Sequence, residues 1–541
     1  MSRTRFRVVS VIATLGLVGG IVAAQPAGAT ESNGRHVLLI SVDGLHQTDL
    51  AWYVAKHPES ALGKLVNEGV RYTNAMTPFP SDSFPGMVAQ VTGGNPKTTG
   101  VYYDDSYNHS LLPAGTTNCT GVAPGVEVTY FEALDKNPLS IDAGQGLSGL
   151  PDSILNMTSN PLDVIDPTQL PVDPTTCKPV YPNQYLKVNT VFEVARAAGL
   201  RTAWSDKHPA YQILSGPSGA GVQDSFTPEI NSNASVVNGQ DWTKDNASTQ
   251  FYDSFKVQAV INEINGFDHS GLQRVGTPAI FGLNFQTVST AEKLPNGGYM
   301  ADGITPGALL EGALDYVNGK LATLEAAIAR RGLRDSTTII LSAKHGQSPN
   351  TPSALTRIND GTIQDALNAA WRAAGHSSDL VAFAIDDDGW LMWTTDRSQA
   401  ATNFAKSFLQ SYSGMGTDIQ GNPKAFSSSG LQPAKIYAGA DAAAFIGVPA
   451  GDPRVPDLIG VAQYGTVYTG GKGKIAEHGG DNPQDRDVAL VVSGGDVDGG
   501  KVITGPVETT QIAPTILQLL GLNPQSLQAV KIEGTKVLPG A

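Results

Sequence analysis

Three nearly unbroken apolar runs limit what this chain can fold into: Val37 to Val42 (VLLISV), Ala279 to Phe285 (AIFGLNF) and Thr337 to Ala343 (TTIILSA). A strand with one wet face alternates apolar and polar residues. A strand covered on both faces does not, and that is the usual setting of a parallel sheet. Between the second and third runs, Leu310, Leu314, Val317, Leu321, Leu324 and Ile328 recur at spacings of three and four, which predicts one long amphipathic helix. Strand, helix, strand implies a right-handed parallel crossover. Arg201 to Trp204, after the helix-like NTVFEVARAAG, and Val488 to Val492 join the same set. The fold class is therefore α/β.

Ligands of open parallel sheets bind beyond the carboxyl ends of the strands. Here those ends carry Asp43-Gly44, Gln286, Lys344-His345 and Asp206-Lys207-His208. Asp43, Lys344 and His345 are site candidates on this ground, although each alone is also an ordinary polar residue opening a loop. Asp206 to His208 reads first as a solvated turn, with a phosphate contact as the alternative. Asp386-Asp387-Asp388-Gly389 lacks the twelve-residue calcium-loop pattern, and the Trp390-Leu391-Met392-Trp393 that follows points to a hairpin turn. Ser83 precedes Phe84-Pro85-Gly86 and the start of a predicted helix. It is either a plain N-cap or a nucleophile whose developing charge meets the positive end of the helix.

Arg3, Arg5 and Arg7 before an apolar run from Val8 to Ala24, then Ala27-Gly28-Ala29, read as a signal peptide over residues 1–29. No later stretch approaches the ~20 apolar residues of a membrane span, so an exported protein is expected. Residues 30–541 contain no repeat or low-complexity linker and are expected to form one catalytic domain, with insertions at about 105–190 and 355–470. With 36 Lys plus Arg against 50 Asp plus Glu, the net charge of −14 argues against binding a nucleic-acid polymer and for a small-molecule substrate. The two cysteines, Cys119 and Cys177, predict a disulfide in an oxidising compartment.

From Pro80 onward, PSDSFPGMVAQVTGGNPKTTGV resembles without a gap the nucleophile segment of the type I phosphodiesterase/nucleotide pyrophosphatase family, in the alkaline phosphatase superfamily. Ser83 falls on the nucleophile, and Thr92-Gly93, Pro96 and Gly100 fall on later marks. Gly86 stands where the family has an Asn that helps hold the phosphoryl oxygens. The resemblance runs from about Arg35 to Leu522: Asp43 ends the first ligand strand, Lys344-His345-Gly346 matches the Asp-His-Gly element, and Glu477-His478-Gly479-Gly480 matches the late His-Gly element. Thr510 to Leu517 resembles the closing helix. The resemblance implies an alkaline-phosphatase-like, mostly parallel sheet sandwiched by helices, with inserted cap segments. It also implies a secreted hydrolase of phosphodiester or nucleotide pyrophosphate bonds, acting on a small phosphate ester through a Ser83 phosphoryl-enzyme. The alternatives are a phosphomonoesterase, sulfatase-like or phosphonate hydrolase of the same fold, and a binding protein that has lost catalysis.

The family usually binds two zinc ions, and this chain departs from its ligand set at Lys344, Gln286 and Thr290, where the family has Asp, Asp and His. Asp43, Ser83, His345 and His478 remain, so at most one zinc or other divalent ion is expected, or none. Lys344 is the candidate to replace metal charge: a unit charge ~4 Å from a phosphoryl oxygen is worth about 4 kcal/mol at an effective dielectric of 20. His345 and His478 are candidate general acid and base, and Gly86, Gln286, Lys207 and His208 candidate substrate contacts.

Overall fold

The computed structural model describes residues 34–234 and 239–541, so the signal-peptide reading of residues 1–29 lies outside the described residues. The apolar runs form the centre of an eight-stranded sheet: β1 (His36–Val42), β2 (Val70–Tyr72), β3 (Ala203–Ser205), β4 (Asp224–Phe226), β5 (Ile280–Phe285), β6 (Thr337–Ser342), β7 (Leu490–Gly494) and β8 (Lys501–Ile503). Their spatial order is β8-β2-β7-β6-β1-β5-β3-β4. All neighbours are parallel except that β7 runs against both β6 and β2. The C-terminal run at Val488 is thus a strand as expected, but an antiparallel one. Every residue of β1, β5 and β6 is buried, as their lack of alternation requires.

Helices flank the sheet. On one side α1 (Gln47–Lys56), α2 (Ala61–Glu68), α4 (Asn246–Ile264), α5 (Thr287–Lys293) and α6 (Ala308–Arg330) pack together. In α6 the six apolar residues at spacings of three and four are all buried. A second group contains α3 (Ser83–Thr92) and α7 (Ile512–Leu519), which pack on each other. Between β6 and β7, residues 356–468 build two separate four-stranded sheets around an apolar core that includes Trp371, Trp390 and Met392. The Asp386 to Asp388 segment turns a hairpin between Val381–Ile385 and Gly389–Thr394. Between α3 and β3, a hairpin at Asp105–Asn108 and Val126–Thr129 is followed by short helices. Cys119 and Cys177 are joined there in a disulfide.

Candidate active site

Register assembles the site. β1 and β5 pair up to Val42 with Phe285, and β1 and β6 up to Ser41 with Ser342, so the next residues of all three strands emerge at one edge. Ser205 at the end of β3 pairs with Leu283, which brings Asp206 and Lys207 to the same edge.

Ser83 arrives there as the first residue of α3. It is not the N-cap: Asp82 is, its carboxylate accepting the Phe84 N–H at 2.8 Å. With capping done by its neighbour, the Ser83 hydroxyl is left for the strand-end side chains. α3 is buried throughout and ends at Gly93, whose φ of 78° needs a glycine and accounts for the Thr-Gly mark. His478 is tied to the same loop, since Gly479 N–H donates to the Ser81 carbonyl at 3.0 Å and Ser81 Oγ to the Gly480 carbonyl at 2.8 Å.

Around Ser83 Oγ lie His345 Nε2 at 3.2 Å, Asp43 Oδ2 at 3.3 Å and Lys207 Nζ at 3.0 Å. His345 Nδ1 is 3.0 Å from the Gly346 carbonyl, which can only accept, so Nδ1 carries the hydrogen and Nε2 offers its lone pair to the serine. Burial, with the Lys293 and Lys207 charges adding to it, outweighs Asp43 and pushes the His345 pKa down to about 3. The imidazole is therefore neutral and able to accept a proton. The His478 ring lies 4.0 Å from it and is pushed well below the usual range by burial and by His345. Burial would raise the Asp43 carboxyl, but Lys344, Lys207, His345 and the Gln286 amide hold it below the usual carboxylate range.

The two lysines differ in what they reach. Lys344 is fully buried, and its ammonium contacts the Asp206 carboxylate at 2.8 and 3.1 Å and the Tyr211 hydroxyl at 2.7 Å. Its pKa is lowered by burial. The cation that touches the serine is Lys207, which also reaches Gln286 Oε1 and Asp43 Oδ2, each at 3.5 Å. Asp206 and His208 are buried rather than part of a solvated turn. His208 Nδ1 meets the Glu229 carboxylate at 2.8 Å. Gly86 has nothing to offer an oxyanion: its N–H donates to the Asp82 carbonyl at 2.9 Å, and a Cβ would stand 2.1 Å from the Lys344 carbonyl oxygen.

Sequence reasoning missed Asn284, a polar residue inside β5 whose Nδ2 donates to Asp43 Oδ1 at 2.7 Å. It also missed Asp104, Lys293, Asp387, Lys474 and Glu477. With Lys207, His208, Gln286 and His478, these line a polar cavity of about 420 Å³ that meets Ser83 through Lys207. Asp387 reads in the sequence only as part of a hairpin turn, and that turn, in the segment between β6 and β7, carries it to the cavity.

The residues do not fit a two-zinc centre. Asp43 Oδ2 accepts from Gln286 Nε2 at 2.6 Å and Oδ1 from Asn284, so N–H donors take the lone pairs that a metal would need. Thr290 Oγ1 accepts from Asn246 Nδ2 at 2.8 Å, and the Lys207 ammonium lies against both Ser83 and Asp43. The described residues hold three His/carboxylate groups that could take an ion: His46–Asp49–Glu292, away from the cavity, and Glu132–His208–Glu229 and Asp387–Glu477–His478, which include residues of its wall.

No curated protein sequence is significantly similar to the chain. Among solved structures it resembles murine ectonucleotide pyrophosphatase/phosphodiesterase 5 (TM-score 0.53, 13% identity, 91% of this chain and 96% of that one). It also resembles wild-type alkaline phosphatase PafA (TM-score 0.57, 14% identity, 90% and 96%). At such identities the likeness establishes the fold, which is the alkaline-phosphatase-like one that the sequence resemblance implied. The sequence profile described as type I phosphodiesterase/nucleotide pyrophosphatase matches residues 37–483. With a nucleophile-type serine held where strand ends, a helix start and a polar cavity meet, the chain belongs to the type I phosphodiesterase/nucleotide pyrophosphatase family and is a hydrolase of phosphoric esters.

Proposed function

We propose that the protein hydrolyses phosphodiester or nucleotide pyrophosphate bonds of small substrates through a Ser83 phosphoryl-enzyme. The observation that carries this reading is the contact of Ser83 Oγ with the lone pair of a neutral His345, at 3.2 Å. Ser83 Oγ attacks phosphorus while its proton passes to His345 Nε2. The P–O bond to the leaving group breaks, and the proton taken up by His345 is handed through the adjacent His478 ring, on the cavity wall, to the departing oxygen. A water then attacks the phosphoserine and gives up a proton to the histidine pair; the P–Oγ bond breaks and Ser83 recovers its hydrogen. No step needs a metal, and at most one ion is expected per chain.

The cavity volume suits a ligand of nucleotide size. One structure of the murine relative, in an inactive form, is a complex with AMP, which supports the same substrate class here. The cavity draws Phe131 and Glu132 from the 105–190 segment and Asp387 from the 355–470 segment, which supports reading both as cap insertions of one catalytic domain. Export is supported by the Arg3 to Ala29 pattern and by the disulfide. Among the described residues no helix is long and apolar enough to cross a membrane.

Ser83→Ala should abolish hydrolysis of a panel of chromogenic phosphate mono- and diesters while leaving the circular dichroism spectrum unchanged. Turnover at the wild-type rate would remove Ser83 from the chemistry, and a preference for monoesters would move the enzyme to the phosphomonoesterases.

A further inference from the structure

We propose that the Lys207 ammonium is the resident cation of the catalytic centre, standing at Ser83 in the place of a divalent ion, so that the protein turns over with no bound metal. This inference rests on the reading of Ser83 as the nucleophile. An ammonium has three N–H donors. Those of Lys207 have three acceptors within reach, Ser83 Oγ at 3.0 Å and Gln286 Oε1 and Asp43 Oδ2 at 3.5 Å. Gln286, where the family carries an acidic ligand, offers a neutral carbonyl oxygen to the ammonium and turns its amide N–H onto Asp43. The replacement of a ligand and the arrival of a lysine are thus two sides of one contact.

The position of Lys207 is built rather than incidental. Its backbone N–H donates to Asp206 Oδ1 at 2.9 Å, and Asp206 is itself held by Trp204 Nε1 at 2.9 Å and by Lys344. Lys344 is therefore a positioning residue, one ion pair removed from the serine. Lys207, in contrast, lines the cavity where a phosphoryl group would enter. Its positive charge lies beside Oγ as that atom loses its proton to His345, and it faces the oxygens of the incoming phosphoryl group. Lys207 keeps its own three hydrogens throughout. The Asp43 carboxylate, 3.5 Å from its ammonium, favours the charged form.

The test uses the whole exported chain and bis(4-nitrophenyl) phosphate. Elemental analysis should find well under one transition metal per chain, and prolonged chelation should leave the rate unchanged. Lys207→Cys should lower kcat/KM by at least ~100-fold, the range seen when one stabilising donor is removed. Because both native cysteines are in the disulfide, 2-bromoethylamine would alkylate the introduced thiol alone. This restores an ammonium and should recover much of the rate, which no purely structural loss would allow. One tightly held metal per chain whose removal stops hydrolysis would overturn the inference, as would a wild-type rate in Lys207→Cys. If Lys207→Cys fails to fold, the metal content and chelation of the unmodified protein still decide. An inactive Ser83→Ala alongside a fully active Lys207→Cys would reject the ammonium and keep the nucleophile. Turnover in Ser83→Ala would reject the nucleophile itself.

Discussion

At the scale of single residues, the contrast between Lys207 and Lys344 shows how partners decide what a charge can do. Lys344 stands next to His345 in sequence, yet Asp206 and Tyr211 hold its ammonium and close it off from solvent. Removing one member of a buried pair leaves the other charge uncompensated, at a cost of about 3–5 kcal/mol. Lys344→Met should accordingly lower the stability measured by urea unfolding by about 3 kcal/mol or more. An unchanged unfolding midpoint would show that Asp206 does not depend on it. The strand-end pattern made Asp43, Lys344 and His345 legible as candidates, whereas Lys207 read first as part of a solvated turn. Which of the two lysines reaches the serine was not legible. That depends on side chains from β3, β5 and β6 meeting across strands, and on Asp206, a neighbour of Lys207 that captures the other lysine. Asn284 was hidden for a related reason: inside an apolar strand it reads as core, and only the pairing of β5 with β1 turns it toward Asp43.

At the scale of elements, α3 and the end of β6 are fitted to each other through the absence of a side chain. Gly86 packs against the Lys344 carbonyl, which also accepts the Thr77 hydroxyl at 2.6 Å and so has little freedom to move. In an exposed helix Gly→Ala would gain up to about 1 kcal/mol. Here the added methyl meets backbone, and overpacking of this kind typically costs about 1–3 kcal/mol. Gly86→Ala should therefore lower the thermal midpoint, while a raised midpoint would mean that α3 can shift away from β6. Gly86→Asn, which restores the family's residue, should be worse still and should not add a phosphoryl contact. The strands and the long helix α6 were legible because their periodicity is a direct record of what covers them. The reversed direction of β7 was not, since a buried apolar run reads the same both ways.

At the scale of the whole molecule, the segment between α3 and β3 has only short elements of its own and is closed by the Cys119–Cys177 disulfide across a sequence separation of 58. A loop of that length gives about 4 kcal/mol of stabilisation in the chain-entropy model. The Cys119→Ala/Cys177→Ala double variant should unfold at clearly lower urea. Because the closed loop carries Phe131 and Glu132 of the cavity wall, KM should rise more than kcat falls. Equal stability and unchanged KM would detach the disulfide from both roles. The site also draws on nearly the full length of the chain, from Asp43 through Ser83, Lys207 and Gln286 to His345 and His478. The ribosome therefore delivers the nucleophile long before the last histidine. Any partly made or partly refolded molecule has its serine without the rest of the proton path, so hydrolysis by a single chain reports that its folding has been completed.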